Sequence, residues 1–339
     1  MHAVMTEPAG GASTLAVQPQ LGWEALASLL AEQEFHGYSP YGGLLAPEAV
    51  GAWLGDRARV ICQAPEGLVT ESGGGDLVAA GLWRHLPWDT QMLQVPAGRI
   101  DFLLARGDYR LALGRKRNIV RSLVEEARAG GVRHLSIRVD SGDLSGLHAL
   151  QREGFEFIDG IQTFALADTA VADPGPPSRG LATAELFSME DLEPVLAIAR
   201  SSYRFDRFHA DPALRAEHAD TLHEQWVRNS CTGNAADTVL VARHDGKVLG
   251  FVTVKLDSEL ARRGGMRLAT IVLVATAESA RGMGIGRLLT LAAVRWALSQ
   301  KAGIIQVGTQ LRNVPAGRLY ESCGFKLVAS SLTLRALLF

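Results

Sequence analysis

The stretch ATAESARGMGIGR, from Ala275 to Arg287, decides the fold of this chain. An apolar run ends at Ala275, and Gly282, Gly284 and Gly286 precede a segment with the apolar spacing of a helix. A chain that turns from strand to helix while a ligand approaches its N–H groups needs residues without a Cβ, and a helix N-terminus adds unpaired donors and a positive dipole end. The stretch therefore predicts a phosphate-binding turn, with a purely structural turn as the alternative.

The spacing of these glycines differs from two well-known phosphate-binding loops. No third glycine follows Gly286 to close the helix against the strand, as a dinucleotide fingerprint requires, and the stretch contains no GxxxxGK[ST] motif. Arg281 and Arg287 add positive charge beside the backbone donors. The turn predicts an anion without identifying it.

Composition limits the classes of protein to which the chain can belong. Its 339 residues are 47% apolar and 21% charged, which is sufficient for two domains with ordinary cores. A formal charge of −2 provides no basic surface for nucleic acid or a membrane, and no apolar run reaches the ~18 residues of a membrane span. Three widely separated cysteines, Cys62, Cys231 and Cys323, fit neither a disulfide framework nor a metal site. We expect a cytoplasmic protein without a metal.

A change in composition predicts the domain boundary. Residues 168–180, DTAVADPGPPSRG, contain three prolines and two glycines among polar residues, as exposed linkers do. The sequence therefore predicts a flexible arm at 1–20, a first domain at 21–167, a linker at 168–180 and a second domain at 181–339.

Strand and helix patterns alternate along both predicted domains, which indicates an α/β or α+β layer around a sheet. Strands are predicted at 59–62, 77–83, 99–105, 135–139, 157–166, 238–243, 248–257, 267–275, 304–309 and 326–334. Helices are predicted at 22–35, 116–129, 146–153, 189–202, 213–229, 287–299 and 314–323.

The two halves resemble each other when the chain is shifted by 170 residues. Without a gap, Gly154-Phe155 falls on Gly324-Phe325, and residues 99–105 fall on 269–275. Gly114 overlies Gly284, but four other positions of the first copy carry different residues: Ala112 for Gly282, Lys116 for Gly286, Asp143 for Asn313 and Leu150 for Tyr320. We therefore expect a duplicated domain with its chemistry in the second copy only.

The second copy resembles the GCN5-related N-acetyltransferases. Their pattern is R/Q-x-x-G-x-G/A followed by N-x-x-A-x-x-x-Y-x-x-x-G-F, and the matching positions are Arg281 to Gly286, Asn313, Ala316, Tyr320, Gly324 and Phe325. The resemblance implies two tandem copies of an acyl-CoA N-acyltransferase fold, each a mixed, mostly antiparallel sheet flanked by helices. Residues 86–90 (LPWDT) and 204–212 (RFDRFHADP) further resemble the type that acetylates dTDP-fucosamine, a nucleotide-linked amino sugar.

The resemblance also implies roles for individual residues. Acetyl-CoA would be the acyl donor, and its pyrophosphate would lie on the glycine turn. A bulge at Val274 and Ala275 would direct an amide at the thioester carbonyl, and Tyr320 would protonate the leaving thiolate. Asn313 would bind the pantetheine or only cap the next helix. The implied cofactor-binding residues are Val274, Ala275, Arg281, Gly282, Met283, Gly284, Ile285, Gly286, Arg287 and Asn313.

The general base is the least determined part of the site. Many relatives have a glutamate in the strand before the glycine turn, but residues 268–274 contain no carboxylate. His209 is the predicted base because a histidine titrates near neutral pH, and Asp257 and Glu259 are further candidates for the acceptor site.

The sequence thus predicts direct acetyl transfer to a primary amine of a small molecule, with a nucleotide-linked amino sugar as the expected acceptor. Another small amine, an antibiotic or a peptide N-terminus is the first alternative, and a non-catalytic acyl-CoA sensor is the second. A homodimer is left open.

Overall fold

The computed structural model describes residues 13–17, 21–35, 38–41, 44–166 and 182–339. The predicted linker and most of the predicted arm lie outside these residues. Within the arm, Thr14–Val17 form a strand that pairs with residues 69–72, so the prediction of a flexible arm is wrong for this segment.

The first half contains six strands and five helices among its described residues. They are β1 (Thr14–Val17), α1 (Trp23–Ala31), α2 (Pro47–Gln63), β2 (Leu68–Gly73), β3 (Asp76–His85), α3 (Pro87–Leu93), β4 (Ala97–Ala105), α4 (Tyr109–Ala129), β5 (His134–Asp140), α5 (Leu144–Arg152) and β6 (Glu156–Leu166). The predicted strand at 59–62 is wrong. Leu54, Ala58 and Ile61 recur at helical spacing on the buried face of α2, and this tertiary burial overrides the strand preference of Val60 and Ile61.

Among its described residues, the second half repeats this order with two differences: it has a short helix between its first two long helices, and it has no α-helix at the place of α3. Its elements are β7 (Thr183–Leu186), α6 (Leu192–Ser202), α7 (Arg207–Ala210), α8 (Ala216–Cys231), β8 (Thr238–His244), β9 (Lys247–Asp257), β10 (Arg267–Thr276), α9 (Ile285–Ser299), β11 (Ala302–Gln310), α10 (Val314–Ser322) and β12 (Lys326–Leu337). Apart from the strand at 59–62, every strand and helix predicted from the sequence has a counterpart of the same type.

All twelve strands form one sheet, in the order β1-β2-β3-β4-β5-β12-β6-β11-β10-β9-β8-β7. Only the pairs β4–β5 and β10–β11 are parallel, so the expected mixed, mostly antiparallel sheet is confirmed. The last strand of each half has changed places: β12 pairs with β5 of the first half, and β6 pairs with β11 of the second.

The exchange of these two strands follows the internal repeat. Val139 pairs with Leu332, and Thr309, 170 positions after Val139, pairs with Gln162, 170 positions before Leu332. The two halves are therefore related by a pseudo-two-fold axis through the β6–β12 pair.

Each core is completed by a residue from the other half. Phe164 of β6 is 2% exposed and packs in the core under α9, where Leu289 and Ala293 are fully buried. Leu334 of β12 is 1% exposed and packs in the core of α4. Burying a large apolar side chain contributes about 1.5–3 kcal/mol, so separating the halves would expose apolar surface in both.

A buried polar network also joins the halves. The Asp211 carboxylate accepts hydrogen bonds from His134 Nε2 at 2.8 Å and from Arg335 Nε at 3.2 Å. All three residues are buried, and Arg335 also donates to Glu156 at 2.7 Å. Burial disfavours the charged carboxylate, but the contacts with His134, Ala213 and Arg335 outweigh it and lower the pKa of Asp211.

No helix among the described residues has the length and hydropathy needed to cross a bilayer.

Replacing Asp211 should loosen the junction between the halves. Asp211→Asn leaves the Arg335 charge buried beside a neutral amide, and breaking a buried pair in this way costs about 3–5 kcal/mol. Urea unfolding followed by circular dichroism should show this loss, whereas Asp76→Asn, at an exposed position, should leave the midpoint within experimental error. Equal midpoints for the two variants would show that the network contributes nothing to stability.

Candidate active site

The sheet opens between β10 and β11. Their parallel pairing ends at Ile271 and Val307. Strand β10 then bulges at Val272, because Ile271 pairs with Val254 of β9 and Leu273 pairs with the adjacent Thr253. The bulge thus lies two residues before the predicted position at Val274 and Ala275, which corrects that prediction. Bulges bend the strand that carries them, and here the bend separates the two strands.

The bulge sets the direction of the backbone donors. The N–H of Leu273 points toward β9 and donates to Thr253 Oγ1 at 3.1 Å. Successive N–H groups of a strand point to opposite edges, so the N–H of Val274 points into the gap beside β11. Val274 lines the gap, whereas Ala275 is buried with its carbonyl near Gly250.

The glycine turn lies where β10 gives way to α9. Gly282 and Gly284 each have a φ of 77°, a left-handed conformation that glycine adopts without strain, and both are exposed with open space around them. The helix begins at Ile285, so the N–H groups of its first turn have no carbonyl partner one turn earlier. Gly286 serves packing, because a Cβ there would lie 3.1 Å from a methyl group of Leu319.

Of the remaining predicted turn residues, three face solvent, whereas the Ile285 side chain is buried. Arg281, Met283 and Arg287 are exposed, and the Arg281 guanidinium lies 3.4 Å from the exposed Glu278 carboxylate. An exposed ion pair of this kind contributes little to stability, so Arg281 is free to turn toward a ligand anion.

Tyr320 and Asn313 lie on α10 at the other side of the gap. Asn313 Oδ1 accepts from the N–H of Ala316 at 3.3 Å, so it does cap the helix while also lining the cleft. Tyr320 is 5% exposed and lies between the rings of Phe164 and Phe325. Burial, with a smaller effect of Cys323, raises the pKa of its phenol, so the group stays protonated at neutral pH.

The gap continues into a cleft of about 990 Å³ that both halves line. Residues of the first half include Trp88, Asp89, Arg99, Arg138 and Asp159. Residues of the second half include Tyr203, Asp206, His223, Val274, Asn313 and Tyr320.

The two segments that suggested an amino-sugar enzyme meet at this cleft. Arg207 Nη2 lies 3.2 Å from Asp89 Oδ2, which connects 204–212 with 86–90 across the two halves. Trp88 packs against the cluster of Phe208 and Leu222 beside this ion pair. No sequence pattern indicated that these distant segments are in contact.

His209 does not have the surroundings of a general base. Its Nδ1 lies 2.5 Å from Asp206 Oδ2, and its Nε2 lies 3.0 Å from Asp220 Oδ1. Each ring nitrogen is therefore paired with a carboxylate. Burial opposes the imidazolium, but the two carboxylates outweigh it and raise the pKa of His209. His209 is also not among the cleft-lining residues, and we do not retain it as the base.

The same segment forms a cluster that the sequence analysis did not predict. Asp206, His209 and His223 each place a potential metal-ligand atom within 4.8 Å of the others. The Asp206–His209 distance of 2.5 Å is that of a hydrogen bond, and His223 Nδ1 is bonded to the carbonyl of Ala219 at 2.9 Å. These contacts favour a hydrogen-bonded network over a metal centre.

The other two predicted acceptor-site carboxylates also lie elsewhere. Asp257 accepts a hydrogen bond from Tyr38 at 2.7 Å, and Glu259 pairs with Arg263 at 3.0 Å. Neither is among the residues that line the cleft.

Asp159 is a cleft residue that the sequence did not single out. It is 3% exposed, and its Oδ2 has no hydrogen-bond partner. Burial raises its pKa to about 6, although the N–H of Gly160 and the charges of Arg312 and Arg138 oppose the shift, while Asp206 adds to it. A buried carboxylate that titrates near neutrality in a cleft is typical of a group that exchanges protons. The only sequence signal was an acidic residue inside the largely apolar strand EFIDGIQTFAL.

Tyr203 contributes a second unpartnered polar atom. Its hydroxyl is buried without a hydrogen-bond partner, and its ring stacks on His223 with centroids 4.8 Å apart. Buried polar atoms without partners are rare, and a ligand in the cleft would supply one.

The first copy lacks the open glycine turn of the second. Helix α4 runs through the positions that match the glycine turn, and the Asp108 carboxylate caps its start by accepting from the N–H of Leu111 at 3.0 Å. Lys116, in place of Gly286, is buried and donates to Asp143 at 2.7 Å. The first copy thus has the Asp108 carboxylate at its helix start, where the second copy has free N–H groups. It also has the buried Lys116 side chain at the position of Gly286.

Comparison with known proteins agrees with this geometry. The model of the acetyltransferase (GNAT) family matches residues 195–325, which include the glycine turn, Asn313 and Tyr320. The match assigns residues 195–325 to the acetyltransferase (GNAT) family, and the expected enzyme class is confirmed.

Two curated relatives are similar over most of their length. The spore coat polysaccharide biosynthesis protein SpsD of Bacillus subtilis is 26% identical over 245 residues, which are 72% of this chain and 78% of that protein. The dTDP-fucosamine acetyltransferase of Escherichia coli is 25% identical over 189 residues, which are 55% of this chain and 74% of that protein.

Solved structures share the two-copy fold. A GCN5-related N-acetyltransferase from Sphaerobacter thermophilus superimposes with a TM-score of 0.63 at 14% identity and covers 96% of each chain. A tandem GNAT protein from the clavulanic acid biosynthesis pathway superimposes with a TM-score of 0.58 at 17% identity, covering 97% of this chain and 99% of that one. At these identities the likeness shows the fold alone.

Proposed function

We propose that the protein transfers the acetyl group of acetyl-CoA to a primary amine of a nucleotide-linked amino sugar. One observation carries the proposal: an exposed glycine turn follows β10, and Val274 of β10 and Tyr320 line a cleft that residues of the other half also line. The name of the dTDP-fucosamine acetyltransferase, which this chain resembles over 55% of its length, supports an amino sugar as acceptor.

The donor half offers a complementary surface for acetyl-CoA. The free N–H groups at the start of α9 would bind the pyrophosphate, with Arg281 and Arg287 beside it. The pantetheine would run through the gap between β10 and β11, where Asn313 lines the wall. The N–H of Val274 would then donate to the thioester carbonyl and stabilise the negative charge that develops on its oxygen. This use of acetyl-CoA, with three free cysteines in the chain, fits a reducing cytoplasm.

Proton transfers at both ends of the reaction have candidate groups. Asp159 accepts a proton from the acceptor ammonium, and the free amine attacks the thioester carbon to form a C–N bond. When the tetrahedral intermediate collapses, the C–S bond breaks and the Tyr320 phenol gives its proton to the departing sulfur. The nitrogen releases its second proton, which restores the phenol. Holding amine and thioester together accounts for much of the rate, since the thioester is already activated.

Adding a methyl group at Gly284 should weaken acetyl-CoA binding. Alanine is strained at a φ of 77°, and the change disturbs the N–H groups that start α9. Calorimetry should show the Kd for acetyl-CoA rising about tenfold. Gly131→Ala is the matched control, since Gly131 has a φ of 81°, equally open surroundings and a position in the first half that does not line the cleft. If both variants bind acetyl-CoA as the wild type does, the turn is structural only.

Removing the Tyr320 hydroxyl should slow turnover without affecting donor binding. General acid catalysis contributes about a hundredfold or more, so Tyr320→Phe should lower kcat by about that factor. The Kd for acetyl-CoA should stay close to that of the wild type. Tyr109→Phe, at a 45% exposed position in the first half, serves as the control. Unchanged turnover in Tyr320→Phe would remove this residue from the acid role.

The rate should depend on pH through Asp159. Below its pKa of about 6 the carboxyl is protonated and cannot accept a proton, so kcat/KM should fall as the pH drops through about 6 and level off above it. Asp159→Asn should lower kcat/KM about a hundredfold and abolish this dependence, with thermal unfolding as a check that the variant folds. A wild-type pH profile retained by Asp159→Asn would assign the titration to another group.

A further inference from the structure

Three arginines line one part of the cleft, two of them from the degenerate first half. Arg99 comes from β4, Arg138 from the neighbouring strand β5, and Arg207 from α7 of the second half. Arg99 pairs in register with Ser136, and residues two apart on a strand share a face, so Arg99 and Arg138 lie on the same face of the sheet.

Arg138 has no carboxylate partner within ion-pair distance among the described residues. Its closest hydrogen-bond acceptor is Thr333 Oγ1, at 3.5 Å. Burial in the cleft, and then repulsion from Arg207 and Arg99, lower the pKa of its guanidinium to about 10, although Asp159 acts in the other direction. At neutral pH this side chain is a charged donor without a matching anion.

The other two arginines are only partly neutralised. The Asp101 carboxylate is 2.8 Å from Arg99 but also 3.0 Å from Arg84, so two cations share one anion. Arg207 has one partner, Asp89, and lies in a confined position over the ring of Phe208. Burial lowers the pKa of Arg207, and Arg99 lowers it further.

Positive charge in excess of its carboxylate partners attracts an anion, and a bound anion relieves the repulsion between Arg138 and the other two arginines. Guanidinium groups bind phosphate oxygens with paired N–H donors, so three of them around one space fit a phosphate or diphosphate. Arg99 and Arg138 belong to the half opposite the glycine turn, and none of the turn residues 281–286 lines the cleft, so a cofactor held at that turn leaves the arginines free.

We infer that Arg99, Arg138 and Arg207 bind the diphosphate of the acceptor. The inference rests on the proposed acetyl transfer to a nucleotide-linked amino sugar and gives the first half a role in it. The first half holds the acceptor by its phosphates while the second half activates the donor. The first copy, which lacks the glycine turn, thereby provides most of the surface that binds the phosphates of the acceptor.

Binding of dTDP to the full-length protein tests this inference. The titration is run by calorimetry with CoA already saturating, so that the glycine turn is occupied and cannot take the nucleotide. The wild type should bind dTDP, and inorganic pyrophosphate should compete with it. Arg138→Gln should weaken dTDP binding about ten- to a hundredfold, the effect expected for a lost charged hydrogen bond.

Two further variants define the interaction. Arg138→Lys keeps the charge but loses the paired donors, so its dTDP affinity should fall between those of the wild type and Arg138→Gln. Arg121→Gln, at an exposed position of α4 where the guanidinium pairs with Glu153, should bind dTDP as the wild type does. CoA affinity should be equal in all four proteins.

The outcomes separate this inference from the proposed function. No dTDP binding in the presence of CoA, or equal affinity for Arg138→Gln and wild type, overturns the arginine site even if acetyl-CoA binds and amines are acetylated. Failure of the wild type to bind acetyl-CoA or to acetylate any amino sugar would overturn the proposed function instead. Acetylation of a nucleotide-linked amino sugar with a KM that rises in Arg138→Gln, at unchanged kcat, supports both.

Discussion

The exchange of β6 and β12 between the two halves is the constraint on which the rest of the structure depends. Each strand completes the sheet of the other half, and each brings an apolar residue, Phe164 or Leu334, into the other core. Neither half can then move as an independent body without breaking strand pairs and exposing core. The cleft walls are fixed relative to each other before any ligand arrives, which is the preorganisation that a two-substrate transfer needs.

Two copies of one fold have diverged at equivalent positions. In the second copy, glycines leave the start of α9 open, whereas in the first a continuous helix with an aspartate cap and the buried Lys116–Asp143 pair fills the same place. The backbone scaffold of both copies supports the sheet, while the residues at the positions of the glycine turn differ between them. Polar side chains of the first copy line the cleft. They are Asp159 from its last strand, and Arg99 and Arg138 from two neighbouring strands. The site therefore belongs to both halves, in line with the rule that function depends on sites placed on folds.

Local sequence signals predicted the strands and helices of the second half well. The glycine turn, Asn313 and Tyr320 lie close together in sequence, and their spacing reflects a strand, a turn and a helix whose geometry is set locally. The predicted strand at 59–62 failed because a β-branched pair sits on a helix whose buried face only tertiary packing defines. The bulge was displaced by two residues because its position depends on the pairing of β10 with β9, which a single strand does not reveal.

The sequence by itself determined that this chain carries a duplicated fold of the acetyltransferase type, with a glycine-rich turn in one copy only. Those conclusions rest on residue types at short, fixed spacings and on one repeat offset of 170 residues, which the strand pairing reproduces. The tertiary structure alone decided which groups meet in the cleft. In the folded chain, His209 lies between two carboxylates, and one carboxylate oxygen of Asp159 has no hydrogen-bond partner. Asp89 contacts Arg207, which is 118 residues away in sequence. The pKa of a side chain depends on the groups that surround it in space, and strand exchange places those groups where no local pattern records them.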